Sequence, residues 1–208
     1  LSGVVVTRYG FAENCRKIKV LEAAHPVPDE NGLRATECIF EALEGLTADD
    51  LVIALICGGG SALLPFPPPN FELSDEQELN KILLNCGAPI GIMNAIRQHF
   101  SQVKGGQLAL AAYPTPVVTL VVSDVPGDDP AQVASGPTIA SEVSIQEVIS
   151  FINSYKITLP TKIKEYFEKG ITGIPSFDDN RFSKHEVKIV ASSNLSLKAA
   201  AQKAKELG

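Results

Sequence analysis

Four short apolar runs constrain this chain more than any other feature: residues 4–7, 51–56, 117–123 and 187–191. Each is β-branched or apolar throughout, without polar alternation. Strands covered by helices on both faces read this way. A weaker run, 18–22, is a further strand candidate. The stretches between them carry helical spacing: 33–43, 74–86, 90–104, 107–112, 145–154, 162–168 and 195–207. In the 74–86 stretch, Ser74 and Gln77 match a capping box, and Leu79, Ile82, Leu83 and Cys86 form one stripe. Strands that alternate with helices predict an α/β fold: three layers, α/β/α, around a mostly parallel, Rossmann-like sheet. Runs 51–56 and 117–123 are expected at its centre. Residues 173–184 read as a surface loop.

The chain has 208 residues and a net charge of −6, which argues against a general nucleic-acid or anionic-membrane surface. No apolar run reaches the length of a membrane span. Cys15, Cys38, Cys57 and Cys86 show no C-x-x-C spacing, so free thiols are expected. The first residue is Leu1 and the last helix stops at Gly208, from which a piece of a longer chain is expected.

The run 51–56 ends in Cys57-Gly58-Gly59-Gly60-Ser61, and Pro65, Pro67, Pro68 and Pro69 follow at once. Open parallel sheets bind ligands beyond the carboxyl ends of their strands. Glycines there free backbone N–H groups to face an anion, and Ser61 can cap or donate. The sequence lacks the Gly-Lys-Ser/Thr ending of a P-loop. The prolines limit the next helix to about one turn, whereas a dinucleotide site needs a long one. A cradle for a small anionic group is the reading that remains, beside plain strand-to-helix packing. The run 117–123 likewise ends in Asp124, with Asp128 and Asp129 on a Pro-Gly turn. These acids suit Mg²⁺ or substrate hydroxyls, and Asp128 and Asp129 equally suit capping the next turn. Were 90–104 one helix, Asn94, Arg97, Ser101 and Lys104 would share an arc, and Arg97 and Lys104 could clamp phosphate or carboxylate or simply face solvent. His99 falls on the apolar arc and reads as a satisfied core histidine. His25 lies in a proline-stiffened loop, 22–32, where Asp29 or Asn31 can cap the following helix.

Four stretches, "HPVPDENGLRAT", "CGGGSALL", "NAIRQHFSQVKGGQLA" and "VSDVPGDDPAQVASGPT", resemble in order and approximate spacing the N-terminal domain of class II glycerate 2-kinases of the MOFRL type. The likeness runs from about residue 1 to 136 and resumes at "VASSNLSLKAA"; residues 140–186 match poorly. The family usually has Ser where Cys57 stands. The resemblance implies ATP-dependent phosphorylation of D-glycerate to 2-phosphoglycerate with Mg²⁺, in a cytoplasmic enzyme that allows a homodimer. It implies catalytic roles for Lys104, Arg97 and Asp124. Substrate or phosphate contacts would come from Gly58, Gly59, Gly60, Ser61, Asn94 and His25, and metal contacts from Asp128 and Asp129. Either Asp124 or His25 could be the base. It further implies that residues 1–208 are most of a large domain, with an N-terminal start and a C-terminal MOFRL-type domain outside this sequence. Hydroxypyruvate reduction with NAD(P)H, a label some relatives carry, and anion binding without turnover are the competing expectations.

Overall fold

The computed structural model describes residues 1–170 and 172–208. Its strands are β1 (Gly3–Arg8), β2 (Ile18–Ala23), β3 (Val52–Cys57), β4 (Val117–Ser123) and β5 (Glu186–Ser192). Its helices are α1 (Glu30–Glu41), α2 (Gly60–Leu63), α3 (Leu73–Asn85), α4 (Ile90–His99), α5 (Gln107–Ala111), α6 (Ile145–Ser154), α7 (Thr161–Glu168) and α8 (Ser193–Leu207). Short 3-10 turns lie at Val133–Ser135 and Asn180–Phe182, the second inside the expected 173–184 loop. The fold is mixed α/β with parallel sheets flanked by helices, as the alternation of patterns requires.

The strands form two parallel sheets rather than one. β1 pairs with β2, and β3, β4 and β5 pair in that order. β4 is central, as expected, but β3 is an edge strand. Its exposure alternates, with Ile53 at 55% and Leu55 at 70%. An unbroken apolar run therefore does not here mean cover on both faces. One face of β3 packs through Val52 and Ala54 against Val117, Ala109 and Ala112, and the other is bare among the described residues. The largest core cluster is helical: Leu79, Leu83, Ile96, Phe100, Val148, Ile163 and Phe167 join α3, α4, α6 and α7.

Three local boundaries differ from the sequence pattern, each through a polar group. α1 starts at Glu30 because Asp29 caps it, accepting from Gly32 N–H. The box that opens α3 is Glu72 with Asp75, two residues earlier than Ser74 with Gln77. α4 stops at His99 instead of running to Lys104. The Ser101 hydroxyl accepts from Val103 and Lys104 N–H, groups a helix would send back to carbonyls, and Gly105 and Gly106 then take left-handed φ.

Candidate active site

β3 and β4 run parallel, so their carboxyl ends lie side by side, with Cys57 opposite Val122. Gly58 follows the first strand and Asp124 the second. The Asp124 carboxylate lies against Gly58 so closely that a Cβ there would overlap it. His25 sits over the next glycine: a Cβ on Gly59 would be 3.1 Å from its Nε2. Gly59 also has φ of +82°, a conformation that glycine adopts without cost. Gly60 faces Ala134, whose Cβ would stand 2.8 Å from a Cβ at 60. The Ser61 and Ser135 hydroxyls are 3.0 Å apart. Thus the glycine loop and Asp124 lie together beyond the strand ends, and His25, which the strand-end argument did not include, joins them there.

Both His25 and Asp124 are exposed. The loop carrying His25 is anchored at Asp29, which accepts from Ala24 N–H, Gly32 N–H and Tyr9 O–H. Burial alone would raise the Asp29 pKa, but the Tyr9, Gly32 and Ala24 donors outweigh it and hold the carboxyl below its ordinary value. Behind Gly60, Ala134, Ser135 and Gly136 take three consecutive positive φ values, 52°, 60° and 59°. Left-handed Ala and Ser cost about 1–2 kcal/mol each, so packing around this turn over-determines it.

The cationic stripe is not at this edge. With α4 ending at His99, Lys104 turns inward and is 2% exposed. Its Nζ donates to Glu76 Oε1 at 2.8 Å and to the Leu64 carbonyl at 3.3 Å. The structure thus places Lys104 in a buried ion pair rather than on an open polar stripe. Arg97 lies along α3: its Nε donates to Asn80 and one Nη to Asn94. Burial pulls the Arg97 pKa down from its ordinary value and the nearby Glu76 charge works against that fall. Asn94, 7% exposed, spends its Nδ2 on Gln132, so it braces the loop after β4 instead of presenting itself to a ligand.

Of the metal candidates, Asp129 caps its own turn by accepting from Ala131 N–H. Asp128 accepts from Asn194 at the start of α8, and the Asn194, Ser123 and Ser192 side chains lower its pKa. Among the described residues no three His, Cys, Asp or Glu side chains group closely enough to cage a metal. His99 is 2% exposed, with Nε2 2.8 Å from the Val143 carbonyl and no partner for Nδ1, a core residue and not a base.

Glu76 is the site-supporting residue that the sequence pattern hid. By position alone it is an ordinary first-turn acid of α3. Spacing gives a signal nonetheless: Leu73, Glu76, Leu79 and Leu83 share one face, and a carboxylate on an apolar stripe needs a buried partner.

The sequence profile of a family described as a domain of unknown function, DUF4147, matches residues 1–168. A protein of Agrobacterium vitis provisionally named hydroxypyruvate reductase is 46% identical over 208 residues, covering 100% of this chain and 47% of its own. A glycerate kinase of Danio rerio is 40% identical over 205 residues, covering 94% of this chain and 40% of its own. The crystal structure of a glycerate kinase from Thermotoga maritima superposes with a TM-score of 0.87 at 34% identity, covering 100% of this chain and 49% of that one. The chain spans about half the length of the relatives it matches.

Proposed function

The chain belongs to the DUF4147 family, and on that premise we propose that its glycine edge serves the phosphorylation of D-glycerate to 2-phosphoglycerate, with ATP as donor. The observation that carries this reading is the meeting of Asp124 with Gly58, and of His25 with Gly59, beyond the ends of two parallel strands. Asp124 or His25 takes the proton from the substrate hydroxyl. The Gly58–Gly60 backbone and Ser61 accommodate anionic oxygens, and Arg97 approaches from α4 only if it leaves Asn80. Relatives and a solved structure named glycerate kinase support the assignment to a kinase.

The donor set also suits Mg²⁺. Asp124 would supply one carboxylate at this edge; Asp128 and Asp129 follow four and five residues later, held by Asn194 and by Ala131 N–H, and among the described residues the three do not gather into a cage. Mg²⁺ generally takes one or two carboxylates plus phosphate oxygens and water, so an all-protein cage is not needed. Bound there, it would neutralise phosphate charge, the main demand of phosphoryl transfer.

Hydroxypyruvate reduction is the second reading, because the Agrobacterium vitis relative carries that name. Against it stands α2, only four residues long, where a dinucleotide pyrophosphate needs a long helix behind the glycines. The test uses the full-length gene product with D-glycerate and Mg-ATP. ADP release with a 2-phosphoglycerate signal in ³¹P NMR is expected. NADH oxidation by hydroxypyruvate without ADP release from glycerate would replace this reading with the second. The isolated 208-residue chain is expected to bind anions without turnover, since charge neutralisation and water exclusion require an enclosed site.

A further inference from the structure

We infer that the buried Lys104–Glu76 pair is a positioning device that sets the exit of α2, and through it the glycine loop, against the turn at residues 133–136. The inference rests on the reading of this edge as the phosphorylation site and adds residues that touch neither substrate nor cofactor.

The segment after α2 is hard to fix by ordinary backbone pairing. Pro65, Pro67, Pro68 and Pro69 have no N–H, so Phe66 supplies the sole amide donor of residues 65–69. That N–H goes to Glu76 Oε2 at 3.1 Å. The segment's carbonyls turn to the stretch that follows α4. Leu64 C=O accepts from Lys104 Nζ, Phe66 C=O from Gln102 N–H at 2.8 Å, and Pro67 C=O from Gln102 Nε2 at 2.6 Å. Glu76 and Lys104 are thus bonded to each other and, on either side of Pro65, to the same segment.

The same short stretch also holds the opposite wall. Gly105 N–H donates to Ser135 C=O at 3.1 Å, Gly106 N–H to Gly136 C=O at 2.8 Å, and Gln98 Nε2 to Ser135 C=O at 3.2 Å. Ser135 in turn meets Ser61, and Ala134 meets Gly60. Residues 102–106 therefore fix both sides of the contact between the glycine loop and the 133–136 turn.

Charge is an expensive way to fill a core. A buried ion pair commonly adds no stability over well-packed apolar side chains of similar volume, so stability alone does not call for one here. What an apolar pair lacks is direction: it neither accepts from Phe66 N–H nor donates to Leu64 C=O. The pair trades that neutrality for a fixed backbone at a place where four prolines remove other donors.

This separates positioning from mere support. In the full-length gene product, K104M/E76L replaces the pair by apolar groups. Expected are a melting temperature equal to or above wild type, kcat for glycerate phosphorylation lowered about 10- to 100-fold, and KM changed less than threefold. K104M/E76Q keeps an amide oxygen for Phe66 N–H and should recover part of kcat. Amide hydrogen exchange gives a readout without ligand. The Ala62, Leu64 and Phe66 amides, bonded to Gly59, Gly60 and Glu76, should exchange at least tenfold faster in K104M/E76L. Should that variant not fold, Q102A, which loses only the Pro67 bond, should show the same pattern more weakly. Unchanged exchange at 62, 64 and 66 in a folded variant overturns the inference whatever the activity. Wild type that exchanges as expected yet transfers no phosphoryl group overturns the functional reading and leaves the positioning of the loop standing.

Discussion

Gly58→Ala is the sharpest perturbation of the site, because it acts through one neighbour. Gly58 does not have a positive φ, so the added methyl meets no backbone penalty. It meets the Asp124 carboxylate. Even the farther oxygen, Oδ1, would stand 2.8 Å from the new Cβ, and the nearer oxygen overlaps it. Ordinary contact between such atoms begins near 3.4 Å, so the whole carboxylate must withdraw by about 1 Å or more. Asp124 is exposed, which lets it swing away at about 0.5–1.5 kcal/mol, the cost of an unfavourable rotamer. In a protein of this size that lowers Tm by only a few degrees, about 2–4 °C per kcal/mol. A reacting group misplaced by about 1 Å costs on the order of 10²-fold in rate. The expected variant is therefore nearly as stable as wild type and about a hundredfold slower in a coupled ADP-release assay with D-glycerate and Mg-ATP. Asp124→Ala should lose at least as much, and G58A/D124A no more than Asp124→Ala alone, because the first change acts through the second residue. Wild-type turnover from Gly58→Ala, or a double loss equal to the product of the single losses, would refute the reasoning.

Gly60→Ala drives its methyl to 2.8 Å from the Ala134 Cβ, in a turn that already has left-handed φ; lower thermal stability and lower activity together are expected, and an unchanged Tm would count against the close packing. Lys104→Met alone strands the Glu76 carboxylate in the core and should cost about 3–5 kcal/mol in urea unfolding, whereas a surface lysine would cost almost nothing. Burial holds His99 below the ordinary imidazole range, and His185 shifts the same way. The folded state then favours neutral rings while the unfolded chain takes up protons from about pH 6.5 downward, so stability falls as pH drops below that value, and the loss levels off beneath the folded pKa. His99→Phe should flatten the decline in Tm between pH 7.5 and 5; an equally steep decline in the variant would assign the slope elsewhere.

Sequence made the glycine edge legible because its parts obey local rules. β3 and β4 end in Gly58 and Asp124, and ligand chemistry gathers at parallel strand ends. His25 was visible as an imidazole in a stiff loop, but its seat over Gly59 depends on Tyr9 and Asp29 closing that loop, a tertiary event. The cationic stripe failed for one identifiable reason. Placing Asn94, Arg97, Ser101 and Lys104 on one arc assumed an unbroken helix to residue 104. A serine hydroxyl that takes two amide protons ends the helix five residues sooner, and at about 100° per residue those residues, about 1.4 turns of helix, decide which way Lys104 points.

The early end of α4 also hides the link between Glu76 and Lys104 from local pattern. Each had an ordinary local explanation, a first-turn acid on α3 and a basic residue near a helix end, and local rules offered no cause to join them. Their separation of 28 residues is bridged only after α3 and α4 pack through Leu79, Leu83 and Ile96. What the sequence does contain is the demand for such a pair. A carboxylate falls on the apolar stripe of α3, and four prolines behind the glycine loop leave one amide without a backbone partner in its own segment. A buried acid that needs a cation, and a lone N–H that needs an acceptor, are met here by the same carboxylate. Pattern reading that asks where each buried polar group finds its partner would reach Glu76 from the sequence, whereas the choice of Lys104 as its cation is made by the packing of α3 against α4.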